Sequence, residues 1–465
     1  MVTETEILNR ISNLVGDESF VYDKKSENWY SYNDLWNRAF SISQVLTSLS
    51  QVAVVMDNSF ELFSMYFACM LANVTIIPID PLKSQKEIDK IICEHTGILV
   101  IKDALQLVDK TSTEIDIKQI QERIFNIDLN KPYMITYTSG STGHAKGVVH
   151  NLKNLFFTSI DFGNATGLNG SYTMCHVMPM TYMAGILNTI FLPFYFGCKI
   201  VLLPRFSVIS AVSFWKDVRK LSINSFWLSP TMLNILMTVD RKANVKDYLS
   251  QAKTLFFIGT APLFENIRDK FEEKYGVKLL QSYGLSETLL ISTETPTGKN
   301  DSSSVGTILP SAKITIYDNE EIGIDVPWMF LKYSNEDTEQ YFRNSEYMSG
   351  DLGKIVENKL YITGRKKDLI VKGGMNISPK QIEDCIVKLG YIKECAVAGI
   401  VISDEENIVC WYVSENEIPK NDVNSFIEAN VGRHCRIDVF MKVTEIPKNL
   451  NGKPDKRSLI EGFEK

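Results

Sequence analysis

The sequence predicts an α/β protein, with a large N-terminal domain of parallel-rich sheets and covering helices and a small α+β domain at the C-terminus. Three observations point there. From about residue 50 onward, short β-branched runs alternate with longer helical patterns, the signature of strands joined through helices to parallel neighbours. A Ser/Thr/Gly-rich stretch near 291–304 and a charged run at 364–368 break that alternation and mark candidate boundaries. The chain has 465 residues, 45% hydrophobic and 23% charged, an ordinary globular composition with room for two to four domains at roughly 100–200 residues each. That composition excludes a disordered or fibrous chain.

In order, residues 52–56 read as a strand, 60–71 as an apolar helix, 74–78 as a strand, 86–95 as a helix and 98–101 as a strand. Further strands are expected at 134–137, 199–203, 225–228 and 255–258, each trailed by a helical segment. In parallel sheets ligands bind beyond the carboxyl ends of the strands, so chemistry belongs in the loops that follow them. The stretch 291–301 and the serines after it read as a surface loop, followed by short strands at 313–317 and 329–333. Beyond the charged run, Ser378 as N-cap, Pro379 at the first helical position and Gln381 at the capping-box position start a helix. Strands at 394–402 and 408–413 and a helix from about 422 to 429 complete a unit large enough for its own core.

The net charge is -7 and no strong basic block occurs, which argues against nucleic acid as a main partner. None of the eight cysteines forms a C-x-x-C pair and most lie in apolar runs, as expected of buried free thiols in a reducing compartment. The acidic N-terminus carries no basic region leading into an apolar core, so a cytoplasmic protein is expected. Residues 174–198 hold no Asp, Glu, Lys or Arg and are long enough to span a bilayer. Pro179, Gly185, Asn188, Pro193 and Gly197 interrupt them, so a buried core segment is expected and no membrane span.

The most informative segment is Tyr137-Thr138-Ser139-Gly140-Ser141-Thr142-Gly143-His144-Ala145-Lys146-Gly147, placed between a predicted strand and a helical stretch. Glycines let backbone N–H groups turn toward an anion, hydroxyls donate to phosphate oxygens, and the lysine adds a mobile charge. A flexible linker would share the glycines and serines; the strand before them and the lysine favour phosphate binding. No Walker A pattern is present.

This loop resembles that of the adenylate-forming enzymes, which comprise acyl- and aryl-CoA synthetases, peptide-synthetase adenylation domains and luciferases, with Ala145 in place of the family's usual proline. Further motifs follow in the family's order across nearly the whole chain, and the chain is most similar to free-standing acyl-CoA synthetases. Gly259-Thr260-Ala261-Pro262-Leu263 resembles the turn beside the adenine and acyl pocket. Gln281-Ser282-Tyr283-Gly284-Leu285-Ser286-Glu287-Thr288 is similar to the family's Y-G-x-[ST]-E-T motif, which implies adenine stacking for Tyr283 and Mg²⁺ ligation for Glu287. Ser349-Gly350-Asp351 resembles the ribose-binding segment, its aspartate a strong acceptor for both hydroxyls. The stretch 362–368 resembles the hinge motif, implying ribose or phosphate contact for Arg365, adenine packing for Ile362 and the pivot at Lys367. Lys372-Gly373-Gly374 resembles the loop that enters the site in the second half-reaction. Asn451-Gly452-Lys453 resembles the terminal motif, whose lysine bridges the attacking carboxylate and the α-phosphate.

By this resemblance the N-terminal domain spans 1–364, with a distorted β-barrel subdomain, and a small mobile domain spans 365–465. The implied catalytic residues are Lys453, Lys146 and Glu287. The implied ATP site comprises Thr138, Ser139, Gly140, Ser141, Thr142, Gly143, Lys146, Gly259, Thr260, Ala261, Pro262, Ser282, Tyr283, Gly284, Thr288, Asp351, Ile362 and Arg365, with Mg²⁺ on Glu287. The acyl pocket falls to Tyr182, Met183 and Trp227. Amino-acid-activating members pair the α-ammonium with an aspartate in the stretch matching 179–186. Here that stretch has no acid, so a substrate without an α-amine is expected, aliphatic, hydroxy-acyl or aryl. Tyr182 stands where a histidine or aromatic residue gates the carboxylate, and Leu152 replaces a histidine common after the phosphate loop. The implied activity is an AMP-forming acid–thiol ligase using ATP and Mg²⁺, with coenzyme A as acceptor. The phosphopantetheine of a separate acyl carrier protein, luciferase-like oxidation and an inactive nucleotide-binding regulator are the alternatives.

Overall fold

The computed structural model describes residues 2–107, 116–138, 145–240, 245–299, 301–372, 375–402, 405–448 and 454–463. Two sheets dominate the N-terminal part. One runs in the order Lys332–Tyr333, Lys146–Asn151, Pro132–Thr138, Thr75–Ile79, Gln51–Val55, Leu99–Ile101. Its last four strands are parallel, and the first two add antiparallel neighbours. In the larger sheet, Leu279–Leu285 pairs parallel with Leu255–Ile258 on one side and antiparallel with Leu289–Thr293 on the other. Parallel pairing continues outward through Ser225–Leu228, Thr173–His176 and Lys199–Leu202 to Ser19–Asp23. On the other side the strands expected as a barrel subdomain are antiparallel, among them Glu321–Asp325, Glu346–Val356 and Lys359–Arg365. The Tyr283-Gly284 motif thus sits where parallel pairing gives way to antiparallel.

Helix Phe60–Ala72 is buried on every side from Leu62 to Leu71, which explains its apolar run without amphipathic spacing. Ser59 caps its first turn and Asn73 ends it in the left-handed conformation, φ 54°. Phe63 and Phe67 stack at 5.2 Å, and Phe67 meets Phe191 and Phe194 at 5.9 and 4.6 Å. The apolar stretch 174–198 supplies those last two rings from the interior. It forms strand Thr173–His176 and a helical run 183–196, and leads into strand Lys199–Leu202. That run widens to a π turn over Leu187–Phe191. Pro193, just beyond, has no N–H to give the preceding turn. Among the described residues no helix is long and apolar enough to cross a membrane.

Several expectations need correction. The phosphate loop does not lead directly into a helix: strand Lys146–Asn151 comes first, paired antiparallel with Pro132–Thr138, and helix Leu152–Thr166 follows it. The alternation around Val148 and Val149 is that of a strand buried against the sheet. The surface loop begins later than expected, because 291–293 belong to strand Leu289–Thr293 and Glu294 is buried beside Arg268 at 2.8 Å. Of the expected strand 329–333 only Lys332–Tyr333 forms, since a turn from Val326 to Met329 takes the preceding backbone. Cys93 is exposed; the other seven cysteines are buried and all eight are free.

The C-terminal part holds the hairpin Ile370–Lys372 with Met375–Ile377 and a three-stranded sheet of Glu394–Ile402, Glu405–Val413 and Val439–Lys442. Helices Pro379–Val387 and Lys420–Asn430 help close a separate apolar core. Pro379 starts its helix as expected, but Ser378 makes no capping bond. Its hydroxyl instead donates to the Thr363 carbonyl at 2.8 Å.

Candidate active site

A cleft of about 2030 Å³ opens along the carboxyl ends of the parallel strands and the face of the small domain. Thr138 and Lys146 are paired residues at the ends of their strands and flank the phosphate loop. Ser139, Gly140, Ser141, Thr142 and Gly143 lie outside the described residues. The Lys146 ammonium is 2.8 Å from Glu336, donates to the Tyr341 hydroxyl and lies 3.9 Å from that ring's centre. Burial draws its pKa down, but hydrogen bonds to Glu336 and Tyr341 outweigh this and raise it. Asn335 braces the loop's far end, donating to the Ala145 carbonyl at 3.0 Å and accepting from the Gly147 amide at 3.2 Å.

Gly259, Thr260, Ala261 and Pro262 follow strand Leu255–Ile258 and line the cleft. Thr260 holds φ 71°, a strained geometry for a β-branched residue of the kind that gathers at functional sites. Ser282, Tyr283 and Gly284 line the adjoining wall. Gly284 admits no side chain, because a methyl there would stand 1.9 Å from the Leu289 carbonyl oxygen. Asp351 is buried opposite Arg365 in the strand register. Its carboxylate accepts from the Tyr283 hydroxyl and the Arg365 guanidinium, each at 2.5 Å. Burial and then the Asp351 charge push the Tyr283 phenol well above its ordinary pKa. Ile362 lines the same wall from strand Lys359–Arg365.

Glu287 accepts from the Tyr333 hydroxyl at 2.7 Å and lines the cleft. Among the described residues no cluster of three or more His, Cys, Asp or Glu side chains could hold a metal. A single carboxylate lining the cleft still suits Mg²⁺, which binds through one or two carboxylates plus phosphate oxygens and water. Thr288 is fully buried, its hydroxyl without a partner among the described residues and its carbonyl accepting from Trp328 at 2.8 Å. Tyr182, Met183 and Trp227 line the far end of the cleft. Burial pushes the Tyr182 hydroxyl up to about 12, so it stays protonated near neutrality. Lys367, between the two parts of the chain, has its pKa lowered by burial and then by repulsion from Arg365. Lys453 lies outside the described residues.

Residues 10–327 match the family model described as AMP-binding enzyme. The chain belongs to the AMP-binding enzyme family. This AMP-binding enzyme is 27% identical to a malonate–CoA ligase of Arabidopsis thaliana over 68% of its own length and 56% of that enzyme's. It is 25% identical to a long-chain-fatty-acid–CoA ligase of Mycobacterium tuberculosis, covering 93% of this chain and 92% of that one. A 2-succinylbenzoate–CoA ligase of Oceanobacillus iheyensis is 24% identical over 91% and 92%. Among solved structures, ATP-bound MatB from Rhodopseudomonas palustris superposes with a TM-score of 0.86 at 21% identity, covering 98% of both chains. An o-succinylbenzoate CoA synthetase from Bacillus subtilis holding its acyl-adenylate superposes at 0.80 and 19% identity, covering 97% of both. These likenesses establish the two-domain α/β fold.

The sequence reading of this AMP-binding enzyme missed residues that shape its site. Glu336 and Tyr341, which hold Lys146, and Asn335 belong to no recognisable motif. His150 is buried and bonds the Ser286 carbonyl at 2.7 Å, fixing the backbone beside Glu287. Its only sequence signal is a polar residue in an apolar strand. Leu152, where a histidine was looked for, packs into the main core.

Proposed function

We propose that this enzyme activates a carboxylic acid without an α-amine to its acyl-adenylate, releasing pyrophosphate, and then passes the acyl group to the thiol of coenzyme A. One observation carries this reading: Lys146, Glu287, Asp351 and the acyl-end residues Tyr182 and Trp227 line a single cleft, shared with Lys448 and Pro454, which flank Lys453 in sequence. A carboxylate alone is a poor acylating agent because its leaving group would be oxide. Attack on the α-phosphate of ATP replaces that leaving group with AMP.

Lys146 and the loop 138–143 hold the departing phosphates, and Lys453 offsets repulsion between the attacking carboxylate and the α-phosphate. Asp351 takes the ribose hydroxyls in place of the Tyr283 and Arg365 donors it now accepts, while Tyr283 and Ile362 flank adenine. Glu287 would hold Mg²⁺, which would supply positive charge toward the pyrophosphate oxygens. The stretch 179–186 has no acid to pair an α-ammonium. The chain divides into domains 1–364 and 365–465, with Lys367 as pivot. The relatives named above are CoA ligases, which favours coenzyme A over a carrier protein as acceptor. The free thiols fit a reducing compartment, the cytoplasm.

The test is ATP–pyrophosphate exchange over a panel of acids, followed by thioester formation with coenzyme A. Exchange with at least one acid, and a thioester of the same acid, is the expected result. ATP binding without exchange for any acid would mean a nucleotide-binding regulator instead.

A further inference from the structure

We infer that the acyl end of the cleft takes an acid whose far end carries an uncharged hydrogen-bonding group, a hydroxyl or a carboxamide, an inference that rests on the acid-activating reading above. Asn188 and Trp227 both line the cleft and are 4% and 1% exposed. Among the described residues, neither Asn188 Oδ1 nor Trp227 Nε1 has a hydrogen-bond partner. Buried polar groups are nearly always paired, so two orphans lining one cleft call for an explanation. The indole offers a donor only and the amide oxygen is an acceptor, a complementary pair.

The fold carries the two residues on elements that pack against one helix. Trp227 lies on strand Ser225–Leu228, parallel to Thr173–His176. Asn188 lies in the π turn Leu187–Phe191, tied to that neighbouring strand by the Thr189 hydroxyl, 2.7 Å from His176 Nδ1. Both elements pack against helix Leu152–Thr166, Trp227 with its ring 5.3 Å from Phe162, and the π turn with Phe191 5.7 Å from Phe156. Single π turns within helices recur at functional sites.

Gly259 adds a second sign. Its backbone is not in the left-handed region, so conformation does not demand glycine there. A methyl at that position would stand 3.4 Å from Trp227 Nε1, so glycine keeps side-chain atoms away from the buried indole N–H. The surrounding cleft residues Thr181, Met183, Ala184 and Leu187 carry no charge. A second carboxylate would find no cation among them, and a plain alkyl tail would leave both polar atoms unsatisfied.

Exchange kinetics on matched acids test this. One series comprises aliphatic acids of equal length ending in methyl, hydroxyl, carboxamide or carboxylate, and the other para-substituted benzoates with the same groups. The hydroxyl or carboxamide member is expected to show kcat/KM at least about tenfold above both the plain and the dicarboxylic member, the span of one buried hydrogen bond. Its arms separate hydroxyl from carboxamide. Trp227→Phe, which keeps the ring and removes the N–H, should reduce the polar-to-plain ratio about tenfold. Asn188→Leu gives the same readout should the first variant misfold. Best turnover of the plain or dicarboxylic acid, or an unchanged ratio in a folded variant, overturns the inference while leaving acid activation standing. No exchange with any acid overturns the activation reading and this inference with it.

Discussion

On the proposed reading, Lys146 leaves one anion to meet another. Its ammonium pairs with Glu336 at 2.8 Å, and the bonds to Glu336 and Tyr341 raise its pKa and hold it charged in place. Lys146→Ala is expected to lower pyrophosphate exchange by at least about 100-fold, in the range of other lost anion-stabilising donors. Glu336→Gln removes the competing carboxylate and keeps the shape, so the KM for ATP should fall a few-fold with little change in kcat. A rise in KM would show that Glu336 positions the lysine rather than competing for it. Asp351 poses the converse case, since both its oxygens are already engaged by Tyr283 and Arg365. Exchanging those partners for ribose hydroxyls requires a full carboxylate. Asp351→Asn should therefore raise the KM for ATP about 10- to 100-fold, the span of a charged hydrogen bond.

At the scale of elements, Gly284 shows how a turn is built to hold a side chain. The strand Leu279–Leu285 shifts register against Leu289–Thr293 between Tyr283 and Gly284, and only glycine clears the Leu289 carbonyl. Gly284→Ala should cost about 1–3 kcal/mol of stability through forced backbone movement. It should also raise the KM for ATP, because Tyr283 moves with the strand; a denaturation midpoint and a KM measured together check this. The same region shows what could be read in advance. Strands at 225–228 and 255–258 match residue for residue, as short, fully buried apolar runs between polar breaks. Helix Pro379–Val387 starts where Ser378-Pro379 says, yet the Ser378 hydroxyl bonds Thr363 across the chain. A local motif fixes where an element begins; which of two carbonyls or amides a hydroxyl chooses depends on what the fold carries past it. Glu336, Asn335 and His150 were illegible for that reason: their roles arise from partners far away in sequence, and nothing in their immediate neighbours records the contact. Thr138, Lys146, Tyr283, Glu287 and Asp351 could be named in advance because each sits within a motif tied to its chemistry, and all five line the cleft.

Across the whole molecule, two buried histidines and one junction carry consequences for stability and for turnover. Burial lowers the pKa of His150 to about 4 and that of His176 to about 3, against an ordinary 6.5. The unfolded chain therefore takes up protons first as the pH falls. Their contribution is intact above 6.5 and is lost progressively toward 4 and then 3. By about pH 5 the two together should cost about 4 kcal/mol, seen as a lower urea midpoint than at neutrality. His150→Gln should flatten part of that slope.

On the proposed reading, the junction decides whether one cleft serves two reactions. Arg365 is extended, φ -126° and ψ 134°, and Lys366 opens the single turn Lys366–Asp368. That is the geometry proline favours: an extended residue before it and the first position of a helical turn. Lys366→Pro should therefore fold in the present arrangement while stiffening the backbone next to Lys367, the proposed pivot. The Leu369 amide donates to the Lys366 carbonyl, a bond proline keeps. Lys366→Ala controls for the lost pair with Glu321 at 2.8 Å. On the proposed reading the present arrangement serves adenylation, because residues near Lys453 in sequence line the same cleft as Lys146. If the second half-reaction needs the small domain to rotate, Lys366→Pro should keep pyrophosphate exchange within about tenfold of Lys366→Ala while thioester formation drops at least about 100-fold. Equal retention of both activities would place the moving joint elsewhere, and equal loss in a folded variant would mean that adenylation also requires the rotation.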